Sequence, residues 1–306
     1  MVTSSPASVL AVDIGGTKFE AAIVASDGSI GHRRRTPTPV GASAEELFAE
    51  LLGLITAVLD DGADPAPTLC GVGTGGPMAR HGATVSPINI GGWREFPLRE
   101  RLIESTGLPV AVDNDAKALA LAEGWLGAAR GCTDHMAMVV STGVGGGIVL
   151  DGRLLDGADG NAGHVGHVCV VPDGAPCGCG ARGCLEAEAS GTAIARATGA
   201  AAQFAPPEVV ERTGTLVGRA AATVANLLDL RLVTVAGSVA LGFGAPFFAA
   251  AQREMDSRSR IQFARGARIM PAGLGADGPL IGAAAVGLRA FGVEQRAPAG
   301  PVGSVR

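Results

Sequence analysis

Tyrosine is absent from this 306-residue chain, tryptophan occurs twice, and aromatic residues make up only 4%. Stacking surfaces for nucleic-acid bases are therefore scarce. With 24 basic against 29 acidic residues, the net charge of −5 also offers no electropositive face for a phosphate backbone. No apolar run approaches the ~20 residues of a membrane helix, and the N-terminus lacks a basic-then-apolar leader pattern. Charged residues are sparse at 17% while hydrophobic ones reach 47%, which excludes a disordered chain. Lysine is nearly missing too: only Lys18 and Lys117 occur, beside abundant arginine, a bias that resembles GC-rich coding. Arg33–Arg35, a short basic run, reads as a solvated turn. These absences leave a cytoplasmic globular protein of about two domains that binds something small, with neither nucleic acid nor membrane as partner.

What is abundant is glycine, 47 residues, about twice the usual ~7% share and without a collagen period. Val9–Ile14 and Phe19–Val24 are apolar runs joined by Gly15-Gly16-Thr17-Lys18, a β-hairpin with a glycine turn. Met136–Val140 and Ile148–Leu150 flank Ser141-Thr142-Gly143-Val144-Gly145-Gly146-Gly147 in the same manner. The likeness of the two hairpins implies two similar lobes facing one cleft. Ser43 and Glu46 form a capping-box pattern that opens a helix running to about Leu59. Further strands are expected at Thr68–Val72, Leu108–Val112 and Leu232–Ala236, and helices at about 116–129, 214–228 and 279–291.

Gly71-Val-Gly73-Thr-Gly75-Gly76 satisfies GxGxxG, but Pro77 and Arg80-His-Gly82 give no amphipathic helix to place on a pyrophosphate, which argues against a dinucleotide fold. A Walker A motif is missing. Phosphate binding rests instead on Asp13 with Gly15, Gly16 and Thr17, since bare glycine amides can wrap a polyphosphate while a nearby carboxylate holds hydrated Mg²⁺. Thr142 and Gly143 could act alike in the second lobe. Each loop alone reads as a structural turn; together they favour nucleotide binding. Asn114-Asp115 lies where a strand meets a helix, a position that suits both an N-cap and a general base. The sharpest signal is His167 followed by Cys177, Cys179 and Cys184, four soft ligands for a tetrahedral, closed and hence structural Zn²⁺. Cys70 lies in an apolar run and reads as core.

Taken in order, Asp13-Ile-Gly-Gly-Thr-Lys18, Gly73-Thr-Gly-Gly-Pro77, Asn89-Ile-Gly-Gly-Trp93, Asn114-Asp115, Ser141–Gly147 and Gly166-His167 through Glu186 resemble the ROK family of sugar kinases. The likeness runs from about Leu10 to Phe291. It implies an α/β protein of the two-lobed actin-like ATPase (ribonuclease H-like) fold. Residues 1–115 would form the N-terminal lobe, 116–278 the C-terminal lobe, 279–293 a helix returning to the first lobe, and 294–306 a tail. It also implies ATP and Mg²⁺ as cofactors, a small-molecule sugar as substrate and a homodimer. Asp115 would take the proton from the sugar's 6-hydroxyl. Asn89, Asn114, His164, His167 and Glu186 would hold the sugar, while Asp13, Gly15, Gly16, Thr17, Lys18, Thr142, Gly143 and Gly237 would line the nucleotide phosphates. Gly237-Ser238 resembles the adenosine-side loop.

One position departs from the family. Most members carry Glu three residues before the zinc histidine; here it is His164. That His-Val-Gly-His form resembles the kinases of N-acetylmannosamine and of kanosamine, the latter from antibiotic pathways, so an amino or N-acetylamino hexose is expected as substrate. Glucose is the alternative. A sugar-sensing regulator of the same family is a third reading, disfavoured because only twelve residues precede Asp13, where repressors carry a helix-turn-helix segment.

Overall fold

The computed structural model describes residues 8–293; the tail expected over 294–306 lies outside them. The first hairpin forms as β1 (Ser8–Ile14) and β2 (Lys18–Ala25), antiparallel, with Ile14 opposite Phe19 across the glycine turn. β3 (Ile30–Pro37) pairs antiparallel with β2 and is an edge strand. The arginines at 33–35 therefore sit in a strand and not in a turn. Arg33 reaches the buried Glu20 on β2 (2.5 Å) and Arg34 reaches Asp61 (2.8 Å), so neighbouring carboxylates satisfy these two. Charge on an exposed edge also discourages pairing with another chain.

α1 (Ala44–Asp60) starts with the expected capping box: the Glu46 amide donates to Ser43 Oγ, and the Ser43 amide donates to the Glu46 carboxylate. Such a cap contributes about 1 kcal/mol. Leu47, Leu51, Leu54, Ile55 and Val58 make its buried stripe. β4 (Leu69–Thr74), α2 (Leu98–Thr106), β5 (Val110–Asn114) and α3 (Asp115–Trp125) follow, with β1, β4 and β5 mutually parallel. The strand order is β3-β2-β1-β4-β5.

The second sheet repeats this topology. β6 (His135–Val140) and β7 (Val144–Leu150) form the second glycine hairpin, and β8 (Arg153–Leu154) pairs with β7. After α4 (Leu185–Ala189), α5 (Gly191–Thr198) and α6 (Pro207–Leu228) comes β9 (Leu232–Ala236), parallel to β6. α7 (Ser238–Arg258) leads to β10 (Arg268–Pro271), and α8 (Gly278–Ala290) ends the described chain. The order β8-β7-β6-β9-β10 matches β3-β2-β1-β4-β5 strand for strand. The sequence did not reveal α7, because Gly244 at φ 60 and Pro246 break its helical pattern. None of the described helices is long and apolar enough to cross a membrane.

Contacts divide the described chain into two compact units. The first holds the residues through Leu126, Asp156–Asn161 and those from Ala276; the second holds Gly127–Leu155 and Ala162–Gly275. The division expected after Asp115 differs, since α3 belongs with the first unit. Its physical tie is small-residue packing: a Cβ on Gly282 of α8 would stand 2.8 Å from the Ala118 backbone of α3. α8 presses equally on β4, where a Cβ on Gly71 would meet the Ala283 carbonyl at 1.9 Å. The first glycine of the GxGxxG string thus serves helix–strand packing, and no helix follows β4 directly. Each unit has its own apolar core.

Candidate active site

In the first unit the C-terminal ends of β1, β4 and β5 bring three positions together. Asp13 lies opposite Gly73 in the β1–β4 register, and a Cβ on Gly73 would be 3.9 Å from both the Asp13 carboxylate and the Asp115 Cα. At those distances a Cβ would make only ordinary van der Waals contact, so Gly73 lies beside both acidic positions without being sterically required there. Burial, reinforced by the negative charge of Asp115, pushes the Asp13 carboxyl up to about 7; the Lys18 ammonium opposes the shift. Asp115 opens α3, and its Oδ1 accepts from the Ala116 amide at 2.8 Å. Asn114 is the N-cap of that helix, its Oδ1 accepting from Ala116 (3.0 Å) and Lys117 (3.4 Å), so its amide is already engaged in holding Asp115 in place.

The turn between β1 and β2 is held by the Gly15 amide on the Lys18 carbonyl (3.0 Å) and by Thr38 Oγ1 on the Gly15 carbonyl (2.7 Å). Gly16 and Thr17 are exposed at its tip. Lys18, expected on phosphate, has its ammonium on Glu20. Burial works against the Glu20 carboxylate, but hydrogen bonds from Lys18 and Arg33 outweigh it and hold the group below the usual range. Asn89 is exposed on a loop beside this turn, where a Cβ on Gly16 would stand 2.6 Å from the Asn89 Cβ. Trp93 anchors the loop: it is fully buried, stacks on Phe96 (4.8 Å between centroids) and donates from Nε1 to the Ala44 carbonyl (3.2 Å). Arg94, which sequence reasoning missed, donates to the carbonyls of Pro87, Ile90 and Trp93 and cinches the loop around Asn89.

The second unit gathers the remaining residues. Thr142 is exposed at the tip of the β6–β7 turn, whose ends are closed by the Ser141 amide on the Gly143 carbonyl (2.9 Å). Glu186, on α4, accepts from the Val144 amide at 2.9 Å, and a Cβ on Gly143 would stand 2.7 Å from its carboxylate. The hairpin therefore aims Glu186 as well as offering amides. Gly237 has φ 99, and a Cβ there would meet the Val140 carbonyl at 2.3 Å; conformation and space both demand glycine. Ser238 Oγ lies 3.0 Å from Ser141 Oγ, a link between the two loops that no motif signalled.

His164 and His167 stack with centroids 6.1 Å apart. His167, Cys177, Cys179 and Cys184 bring their donor atoms within 4.8 Å of one another. Ideal tetrahedral zinc, with bonds of ~2.3 Å to sulfur and ~2.05 Å to nitrogen, has S···S and N···S edges of about 3.8 and 3.6 Å. Here Cys179 and Cys184 are 3.7 Å apart, and His167 Nδ1 is 3.6 Å from Cys177 Sγ. The donor set fits the ion. Backbone hydrogen bonding from Ala181, with the Cys177 thiol, holds the Cys179 thiol below its ordinary value, whereas burial pushes the Cys184 thiol up to about 12.

Two sheets of one repeated strand order, each with a glycine hairpin on its first strand, define the class of actin-like ATPase folds. Residues 9–289 match the sequence profile of the ROK family, and the chain belongs to that family. It is 39% identical over 252 residues to the N-acetylmannosamine kinase of Escherichia fergusonii, covering 78% of this chain and 85% of the relative. Among solved structures it is similar to the ROK hexokinase from Thermus thermophilus, with 32% identity, TM-score 0.83 and coverage of 93% and 99% of the two chains. It is also similar to a ROK family glucokinase from Streptomyces griseus in complex with glucose and AMPPNP, with 30% identity, TM-score 0.79 and coverage of 92% and 99%. The fold is the α/β actin-like ATPase fold, and the enzyme is a sugar kinase.

Proposed function

We propose that this kinase uses ATP and Mg²⁺ to phosphorylate the 6-hydroxyl of an amino or N-acetylamino hexose, of the N-acetylmannosamine or kanosamine type, with Asp115 as general base. The observation that carries the reading is Asp115 on the first turn of α3, close enough for its charge to act on the buried Asp13 at the end of β1. A base aimed by its own helix can accept the hydroxyl proton as the oxygen attacks, a contribution of about 10²–10⁴-fold. Asp13 suits the role of holding hydrated Mg²⁺, since a cation would restore the ionised state that burial disfavours. When bound, Mg²⁺ neutralises charge developing on the transferred phosphoryl group. The amides of Gly15, Gly16, Thr17 and Gly143, with Thr142, would cradle phosphate oxygens, and Gly237-Ser238 would border the nucleoside. Lys18, spent on Glu20, would act by ordering the turn. His167, Cys177, Cys179 and Cys184 would hold a structural zinc that fixes the His164–Glu186 segment.

His164 supports the amino-sugar assignment. An imidazole stacked on His167 stands where most of the family has a carboxylate acceptor, which alters recognition near the anomeric end. The likeness to a hexokinase and a glucokinase supports glucose as the second reading. The deciding experiment measures ADP release with glucose, mannose, glucosamine, kanosamine, N-acetylmannosamine and N-acetylglucosamine. A kcat/KM preference of about 100-fold, some 2.7 kcal/mol, for an amino sugar is expected. Preference for glucose would sink the assignment. His164→Glu should move the preference toward glucose by about tenfold; an unchanged profile would remove His164 from sugar reading.

A further inference from the structure

A cavity of about 330 Å³ opens in the first unit on a face of α3 and β5 that the proposed chemistry does not use. Its floor is the buried Lys117 ammonium, which donates to Asp113 (2.9 Å), Asp156 (3.0 Å) and the Gly160 carbonyl (3.0 Å). Arg289 completes the floor with 2.7 Å to Asp156. Two cations and two carboxylates cancel there. The rim does not cancel: Arg80 and Arg99 add two positive charges with no carboxylate partner of their own among the described residues. Arg99 donates to the His81 carbonyl (3.0 Å), and the Arg80 guanidinium has no polar partner among those residues. His81 itself holds φ 59, a left-handed conformation that side-chain-bearing residues adopt at a cost and that is common at ligand sites. Val110, Val112 and Val286 supply apolar wall.

We propose that this cavity is a second ligand site, one that takes the phosphate monoester of a small metabolite. The reasoning is charge and size. A phosphomonoester carries about −1.5 to −2 at neutral pH, matching the surplus of the rim, and guanidinium forks suit its oxygens. The volume lies at the small end of ligand pockets (~300–1,000 Å³), enough for a short carbon skeleton against the valines. Position gives the site a regulatory meaning: Asp113 and Lys117 flank Asn114 and Asp115 in sequence, so a ligand that draws on Arg289 or Lys117 works on the turn that holds the proposed base. The site stands apart from the identity of the sugar.

Calorimetric titration with glycerol 3-phosphate, a monoester that is not the product of the proposed reaction, tests the site. Inorganic phosphate and glycerol are the companion probes. Wild type and Asp115→Asn should bind one equivalent of the ester alike, more tightly than inorganic phosphate, and glycerol should not bind. Arg80→Glu should weaken binding at least tenfold while its sugar-kinase turnover stays within about twofold of wild type. Absence of binding to wild type overturns the proposal, and so does undiminished binding to both Arg80→Glu and Arg80→Glu/Arg99→Gln. Loss of binding in Asp115→Asn alone would place the ester in the catalytic site and overturn it equally.

Discussion

The two sheets share one strand order and one hairpin, yet they put different chemistry at the same register. In the first sheet Asp13 stands opposite Glu20 on one neighbouring strand and Gly73 on the other. In the second, the penultimate residue of the first strand is Val139, opposite Gly145 and Ala236. One hairpin thus has carboxylates and their cations in its own strand register, whereas the matching register positions of the other are apolar or glycine. A repeated topology supplies two places for a turn of amides; side chains at the strand ends put carboxylates beside one of them, the one proposed to handle the proton and Mg²⁺. The second unit places Glu186 on its own hairpin amide and builds its polar cluster from three thiols and an imidazole instead.

The largest effect should come from the charged side. Asp115→Ala should lower kcat by about 10²–10⁴ while sugar affinity, measured by equilibrium binding, stays within about tenfold; retained turnover would remove Asp115 as base. Next comes the thiol side. Cys179→Ser, or chelation of wild type, should reduce zinc content and cost about 2–4 kcal/mol in denaturant unfolding. Unaltered metal stoichiometry in the variant would defeat the ligand assignment.

A smaller change with an opposite sign should follow from Asp13→Asn. The folded protein holds the Asp13 proton up to about pH 7, whereas 3.8 is the ordinary value, so folded molecules bind more protons within that window. Stability is therefore full below about pH 4 and declines as pH rises through 7. Asn carries no charge, so the variant should be the more stable of the two at pH 8 by about 1–3 kcal/mol, yet lose Mg²⁺-dependent turnover. Parallel stability curves would show that Asp13 is not a strained carboxylate. The mildest test strikes the backbone side: Gly237→Ala, forced at φ 99 against the Val140 carbonyl, should cost about 1–2 kcal/mol and raise the KM for ATP more than that for sugar. Equal shifts in both would separate Gly237 from the nucleotide.

Much of this was readable along the chain. The hairpins, the Ser43 capping box, the strand at Met136–Val140 and the His167–Cys184 cluster are local patterns, where residues a few positions apart dictate geometry. Arg33–Arg35 escaped because a run of arginines looks solvated until Glu20 and Asp61 are brought beside it. The Arg94 clamp on the Asn89 loop and the Ser141–Ser238 contact escaped for the same reason: neither partner predicts the other across the intervening chain.

The sequence by itself determined the amide-rich turns, the soft-ligand spacing and the helix that presents Asp115, because glycine freedom, ligand chemistry and capping act over a few residues. Only the tertiary structure decided that Asp13 would be pushed up to about 7, that Lys18 would serve Glu20, and that Lys117 would join Asp113, Asp156 and Gly160. Burial and charge pairing depend on which distant segments share a low-dielectric neighbourhood, and that is a property of the packed chain.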